Sequence, residues 1–256
     1  MNRYFNIVML FLFLFLFKNV YGKNLYVSKT GNDSYTYVKN DISHPWRTVK
    51  HAVEHGSLQA GDIIHIRAGV YVETYTDYNS KPLWTTCLNP SSNGSEVGNI
   101  ILQNYANEDV TIKVSEVVEN LFAFKDNSFW TIRANPLGGT LTLDANKKAL
   151  QVVSVFGSNK IYLQNFTAKN ATTTGFGGIN ILPDAVSGTH VSSPEYSEYI
   201  YIEGCTVHDI SKCHGIKISQ NVKNVYVKKC SIYSNGTNGI SVSGGDETDK
   251  EFCPEH

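Results

Sequence analysis

The chain has 256 residues, with 22 Lys and Arg against 23 Asp and Glu for a formal net charge of -1. So even a balance leaves no basic footprint for nucleic acid, and an apolar fraction of 41% is enough for a real core. Fifteen Tyr, twelve Phe, two Met and abundant Asn, Ser and Thr lean towards an all-β fold.

The chain opens with a polar head containing Arg3, then an apolar run from Ile7 to Phe17, with Val20 and Gly22 where a signal peptidase takes small residues. That run is too short to span a bilayer comfortably, and its flanks suit a secretory signal. Residues 1–22 therefore read as a signal peptide, the alternative being an uncleaved anchor. The mature chain is expected to begin near Lys23, to enter an oxidising compartment and be secreted, and to have no membrane span after cleavage. Glycosylation sequons begin at Asn32, Asn93, Asn165, Asn170 and Asn235, and fit that address without discriminating function.

Residues 23–98 read as an N-terminal cap and the first coil of a solenoid. In "HPWRTVKHAVEHGS", Trp46, Val49, Ala52 and Val53 fall on one helical face. Ser43 and Pro45 are start signals and Gly56 a stop, which predicts a short helix over about 46–55. The next stretch, "GDIIHIRAGVYVE", predicts the turn from cap into coil, with Ile64, Ile66 and Tyr71 pointing inward.

From 99 to 256 the helical signal disappears and short strands repeat. "NIILQNY", "FWTIRAN", "KIYLQNF", "YIYIEGC" and "NVYVKKC" share one alternation, and their second residues are Ile100, Trp130, Ile161, Ile200 and Val225. Irregular repeats of this length predict a parallel β-solenoid in which each coil buries its inward face only by stacking on the next. Extra residues such as 183–198 would bulge as loops. No capping element follows the last recognisable coil, so a truncated helix with an open C-terminal end, prone to self-association, is expected. Cys205 and Cys230 hold one place in adjacent coils, where Phe166 stands one coil earlier, and read as two buried thiols within disulfide range. Cys87, Cys213 and Cys253 read as loop residues, and the odd total leaves one thiol unpaired or bridging to another chain.

"LYVSKTGNDS", "HPWRTVKHAVEHG" and "AGDIIHIRAGVYVE" closely resemble the N-terminal part of secreted right-handed β-helix proteins of the pectin-lyase-like superfamily, above all family 9 pectate lyases and their chondroitinase-like relatives. The resemblance is specific over about 24–73 and elsewhere is one of repeat style. It implies an all-β, right-handed parallel β-helix with a short N-terminal capping helix, acting on or binding an acidic polysaccharide. It further implies Ca²⁺-assisted β-elimination of uronate polymers, in which clustered aspartates hold the cation and a lysine removes the proton α to the carboxyl.

Where such enzymes carry those aspartates, this chain has His214 and the pair Thr237 and Asn238. Either the catalytic coils lie beyond His256 or the chain is a non-catalytic carbohydrate-binding or surface-interaction module. Lys217, outward between Ile216 and Ile218, is the candidate base, though outward lysines also serve solubility. Asp209 is the acid nearest it in the repeat. His214 precedes Gly215 in a turn similar to that of polygalacturonase-type hydrolases, but the upstream aspartates and downstream basic motif of those enzymes are missing, and a corner His also serves as a hydrogen-bonding residue. Asp246, Glu247 and Asp249 are the candidate metal ligands for Ca²⁺, against the alternative of a solvated acidic loop. Trp84 and Tyr201 are candidates for stacking on sugar rings, whereas Trp130 reads as core.

Overall fold

A computed structural model of the chain describes residues 22–75, 85–172, 176–183 and 196–243. β1 (Asn24–Val27) and the helix α1 (Val49–Val53) come first. Coil one follows as β2 (Ile63–Ile66), β3 (Gly69–Glu73) and β4 (Thr86–Leu88). Coil two is β5 (Ile100–Asn104), β6 (Val110–Val114) and β7 (Val118–Lys125). Coil three is β8 (Ser128–Arg133), β9 (Leu141–Asp144) and β10 (Ala149–Phe156). Coil four is β11 (Asn159–Gln164), β12 (Thr167–Lys169) and β13 (Gly177–Leu182). Coil five is β14 (Ser197–Glu203), β15 (Thr206–His208) and β16 (His214–Ile218). Coil six, the last among the described residues, is β17 (Val222–Lys228), β18 (Ser231–Tyr233) and β19 (Ile240–Val242).

Each coil gives one strand to each of three parallel sheets: A (β1, β2, β5, β8, β11, β14, β17), B (β3, β6, β9, β12, β15, β18) and C (β4, β7, β10, β13, β16, β19). This is a right-handed parallel β-helix with one minor helical element among the described residues. Its register is the one the sequence alternation predicts: Ile100, Trp130, Ile161, Ile200 and Val225 lie opposite one another in sheet A. The first four are fully buried, because period-2 alternation turns every second side chain of a strand into the stack. Ile64, Ile66 and Tyr71 face the same core.

The cap helix begins later than expected. Trp46 is buried but not helical: its N–H donates to Tyr26 O and its carbonyl accepts from Ser28 N, both at 2.8 Å, so it extends the pairing of β1. Thr48 is the N-cap, accepting from His51 N at 3.1 Å, while Glu54 closes the C-terminus. The first helical N–H groups find an acceptor on coil one, where Glu73 Oε1 takes Val49 N at 3.0 Å. Val49, Ala52 and Val53 are then buried in the same core as coil one, which covers part of the stack's open end.

The corners show what alternation alone does not. Phe129, Lys160, Tyr199 and Asn224 stand just before the inward residues of sheet A on successive coils, and all take the left-handed conformation, at φ 58, 55, 56 and 50. Such a bulge bends the strand as it enters the sheet. At the A-to-B corner Asn165, Gly204 and Lys229 do the same, and a Cβ on Gly204 would lie 2.1 Å from Asn165 Oδ1. One further expectation changes here: Cys87 lies within β4 and faces the core, whereas Cys213 is in a loop immediately before β16, as expected, though buried.

Candidate functional site

Sheet C carries its outward residues in register: Ala123, Ser154, Asn180, Lys217 and Ser241 occupy one file on coils two to six. Polar side chains bond along this sheet from coil to coil. Asn120 Nδ2 donates to Thr86 Oγ1 at 3.3 Å. The Ser154 hydroxyl reaches Asn120 Oδ1 at 2.6 Å and also contacts Gln151 Oε1, and Gln151 Oε1 accepts from Asn180 Nδ2 at 2.9 Å. The chain of bonds stops at Asn180. This residue is fully buried, yet its Oδ1 has no hydrogen-bond partner. A buried acceptor without a donor costs about 1–3 kcal/mol, and in a native structure it asks for a missing donor.

The next residue in the file is Lys217, flanked by the inward Ile216 and Ile218. Its ammonium lies 5.8 Å from the centre of the Phe176 ring, which is partly exposed. His214 opens the same strand, and its Nδ1 is 2.8 Å from Thr237 Oγ1 on the following coil. Burial lowers the His214 pKa, and the positive charge of Lys217 lowers it further, so the imidazole is neutral at pH 7. Asp209 lies apart from this strand, on the corner after β15, where its Oδ2 is 2.7 Å from His208 Nδ1. Two of the sequence-predicted residues, Lys217 and His214, thus share one face; the third is engaged by its neighbour.

Asn180 and Phe176 were not singled out by the sequence. Asn180 was findable, because "GGINIL" places an outward amide between Ile179 and Ile181, as Lys217 stands between its isoleucines. The cost of its orphan oxygen has no sequence signal.

Calcium does not fit the residues at the expected turns. His214 supplies an imidazole and Thr237 a hydroxyl where a hard cation needs clustered carboxylates. Among the described residues no group of three or more His, Cys, Asp or Glu could hold a metal ion. Asp246, Glu247 and Asp249 lie outside the described residues, as do Trp84 and Cys253.

Two other surfaces bear on sugars. On sheet A, Tyr162, Tyr201 and Tyr226 stack in file, with ring centres 4.8 Å apart and interplanar angles of 3° and 7°. Both faces of Tyr201 are therefore covered by its neighbours, and the expected stacking of Tyr201 on a sugar is corrected: only its edge meets solvent. At the corner between sheets C and A, an open, polar cavity of about 470 Å³ is lined by Asp126, Ser128, Gly157, Asn159, Tyr196 and Glu198. Its two carboxylates make it a poor receptor for a polyanion. Among the sequons, Asn170 and Asn235 use their amide nitrogens internally, towards Asp144 Oδ1 at 2.8 Å and Val207 O at 3.3 Å, whereas Asn32, Asn93 and Asn165 are exposed.

No protein-family model matches the sequence, and no curated protein does. Among solved structures, the chain is similar to a GH136 lacto-N-biosidase from Eubacterium ramulus, with a TM-score of 0.61 and 16% identity over 86% of this chain and 43% of that one. A rhamnogalacturonan lyase overlays with a TM-score of 0.44 and 15% identity over 90% of this chain and 64% of that one. The chain thus spans less than two thirds of either protein. The first likeness is one of fold, a three-sheet parallel β-solenoid found in a carbohydrate-active enzyme; the second overlay is too loose to carry an argument. Among the described residues no helix is long and apolar enough to cross a membrane.

Proposed function

We propose that the chain is a secreted β-helix protein that binds an acidic, uronate-containing polysaccharide along the outer face of sheet C. The observation that carries this reading is Lys217, outward on sheet C, with its ammonium 5.8 Å from the centre of the exposed Phe176 ring. A uronate offers a carboxylate with which the ammonium can pair, whereas Asn180 Oδ1 is fully buried and out of a polymer's reach. Neutral His214 adds a ring nitrogen, and partly exposed Phe176 an apolar surface for a sugar's C–H face. The resemblance of residues 24–73 to family 9 pectate lyases points to the same substrate class, and the apolar run from Ile7 to Phe17 to the same compartment.

Binding is favoured over β-elimination. Removal of the proton α to a carboxyl requires a base and a stabilised enolate-like charge. Lys217 supplies one cation, but the turns that would hold the second carry no carboxylate. Purified mature protein is therefore expected to be retarded in gels containing polygalacturonate, with or without a chelator, and to run freely in neutral glucan. Lys217→Ala should abolish the retardation. Little unsaturated product absorbing in the near ultraviolet should form, with or without Ca²⁺. Absence of retardation by any uronate polymer overturns the reading, while Ca²⁺-dependent product abolished in Lys217→Ala replaces binding by catalysis at the same face.

A further inference from the structure

Cys205 and Cys230 occupy the A-to-B corner on coils five and six, each one residue before a strand of sheet B. Those strands run with Thr206 opposite Ser231 and Val207 opposite Ile232, so the two cysteines face each other across adjacent coils. The backbone contact continues through the pair, with Ser231 N donating to Cys205 O at 2.9 Å. The same inward file holds Val110, Leu141 and Phe166 on earlier coils. Cys205 is fully buried, and Cys230, on the last of the described coils, is half-buried against the core. Each thiol donates to a backbone carbonyl, Cys205 to Leu163 O and Cys230 to Lys228 O, both at 3.4 Å; the neighbouring Cys230 thiol, with burial, raises the pKa of Cys205, and the neighbouring Cys205 thiol lowers that of Cys230.

We propose that Cys205 and Cys230 form a reversible dithiol–disulfide couple, with Cys230 as the attacking thiolate, Cys205 as the resolving thiol and a disulfide as the oxidant. The Cys230 thiolate attacks one sulfur of the oxidant RSSR, forming a mixed disulfide and releasing RS⁻. Cys205 then gives up its proton and attacks the Cys230 sulfur, expelling the second RS⁻. Two protein thiols are oxidised, RSSR is reduced to two RSH, and the protons balance. Stacked strands bring the Cα atoms to about 4.8 Å, inside the range that a disulfide bridges. Closure must still draw the Cβ atoms together by roughly 1 Å from strand spacing. A small thiol therefore reopens the bond.

The test begins with fully reduced, purified protein incubated with glutathione disulfide, quenched with acid and N-ethylmaleimide, then unfolded and mapped by mass spectrometry. The expected result is loss of two hydrogens, localised to a linked Cys205–Cys230 peptide and reversed by excess reduced glutathione. Cys205→Ala should accumulate a stable glutathione adduct on Cys230. Cys230→Ala should leave Cys205 at least tenfold slower to react than Cys230 is in the parent. Recovery of both cysteines as maleimide adducts after oxidation of the unmutated protein overturns the proposal, and needs no variant to fold. An adduct on Cys205 in Cys230→Ala formed at the parent's rate overturns the assigned order of attack.

Discussion

Replacing Trp130 with alanine removes one of the two largest fully buried side chains among the described residues, from the middle of the sheet A file between Ile100 and Ile161. The indole is closed in on both sides by the neighbouring coils, and its Nε1 donates to Ser92 O at 2.7 Å. Truncation of such an aromatic costs about 3–5 kcal/mol, because close-packed coils cannot collapse into the space. For a chain of this size that is a fall in melting temperature of roughly 6–20 °C. Trp130→Phe keeps most of the apolar volume and forfeits mainly the hydrogen bond, at about 1 kcal/mol. Tyr162, on the outer face of the next strand, loses only its stacking with Tyr201 when changed to alanine, at about 0.5–1.5 kcal/mol. Thermal melts followed by far-ultraviolet circular dichroism measure all three. A Trp130→Ala protein that melts within about 2 °C of the parent, or a Tyr162→Ala protein as destabilised as Trp130→Ala, refutes the assignment of inward and outward files.

Two further outcomes concern charge. Glu108 takes three hydrogen bonds from Arg67 at 2.8–3.0 Å and one from Ala68 N, which together hold its carboxyl below the usual range. A depressed carboxylate contributes stability that is present above its unfolded value and lost as the pH falls through the folded one. With the partners partly exposed, Glu108→Gln should cost about 1 kcal/mol at neutral pH, and the difference in urea midpoint from the parent should shrink below about pH 4. His214 should titrate below about 6.5 in proton NMR, and Lys217→Ala should move its midpoint upward by removing the neighbouring charge. Because the unfolded chain binds the His214 proton more readily, stability should fall as the pH drops from about 6.5 towards the folded value. A midpoint unmoved by Lys217→Ala shows that the two side chains do not share a face.

Much of the fold was legible because a solenoid repeats one local rule. A strand with one buried face must alternate, and coils that stack must place equivalent residues opposite one another. Comparing "KIYLQNF" with "YIYIEGC" therefore yields the observed pairing of Ile161 with Ile200 without any tertiary knowledge. The helix start was not legible, because Trp46 is held extended by Tyr26 and Ser28 some twenty residues upstream. The left-handed corners at Phe129, Lys160 and Tyr199 were hidden too, since these residue types do not favour that conformation.

The candidate site divides along the same line. The sequence by itself determined that Lys217 points out of the stack and that Cys205 and Cys230 share a position, because both follow from period-2 alternation within aligned repeats. Only the tertiary structure decided what each of these side chains meets. Stacking covers both faces of Tyr201, leaves Asn180 Oδ1 without a donor beside Lys217, and sets the Cys205 sulfur against Cys230. Those outcomes depend on contacts between residues a full coil apart, whose spacing is set by loops of unequal length. Alternation says which way a side chain points; the stack sets what lies beside it.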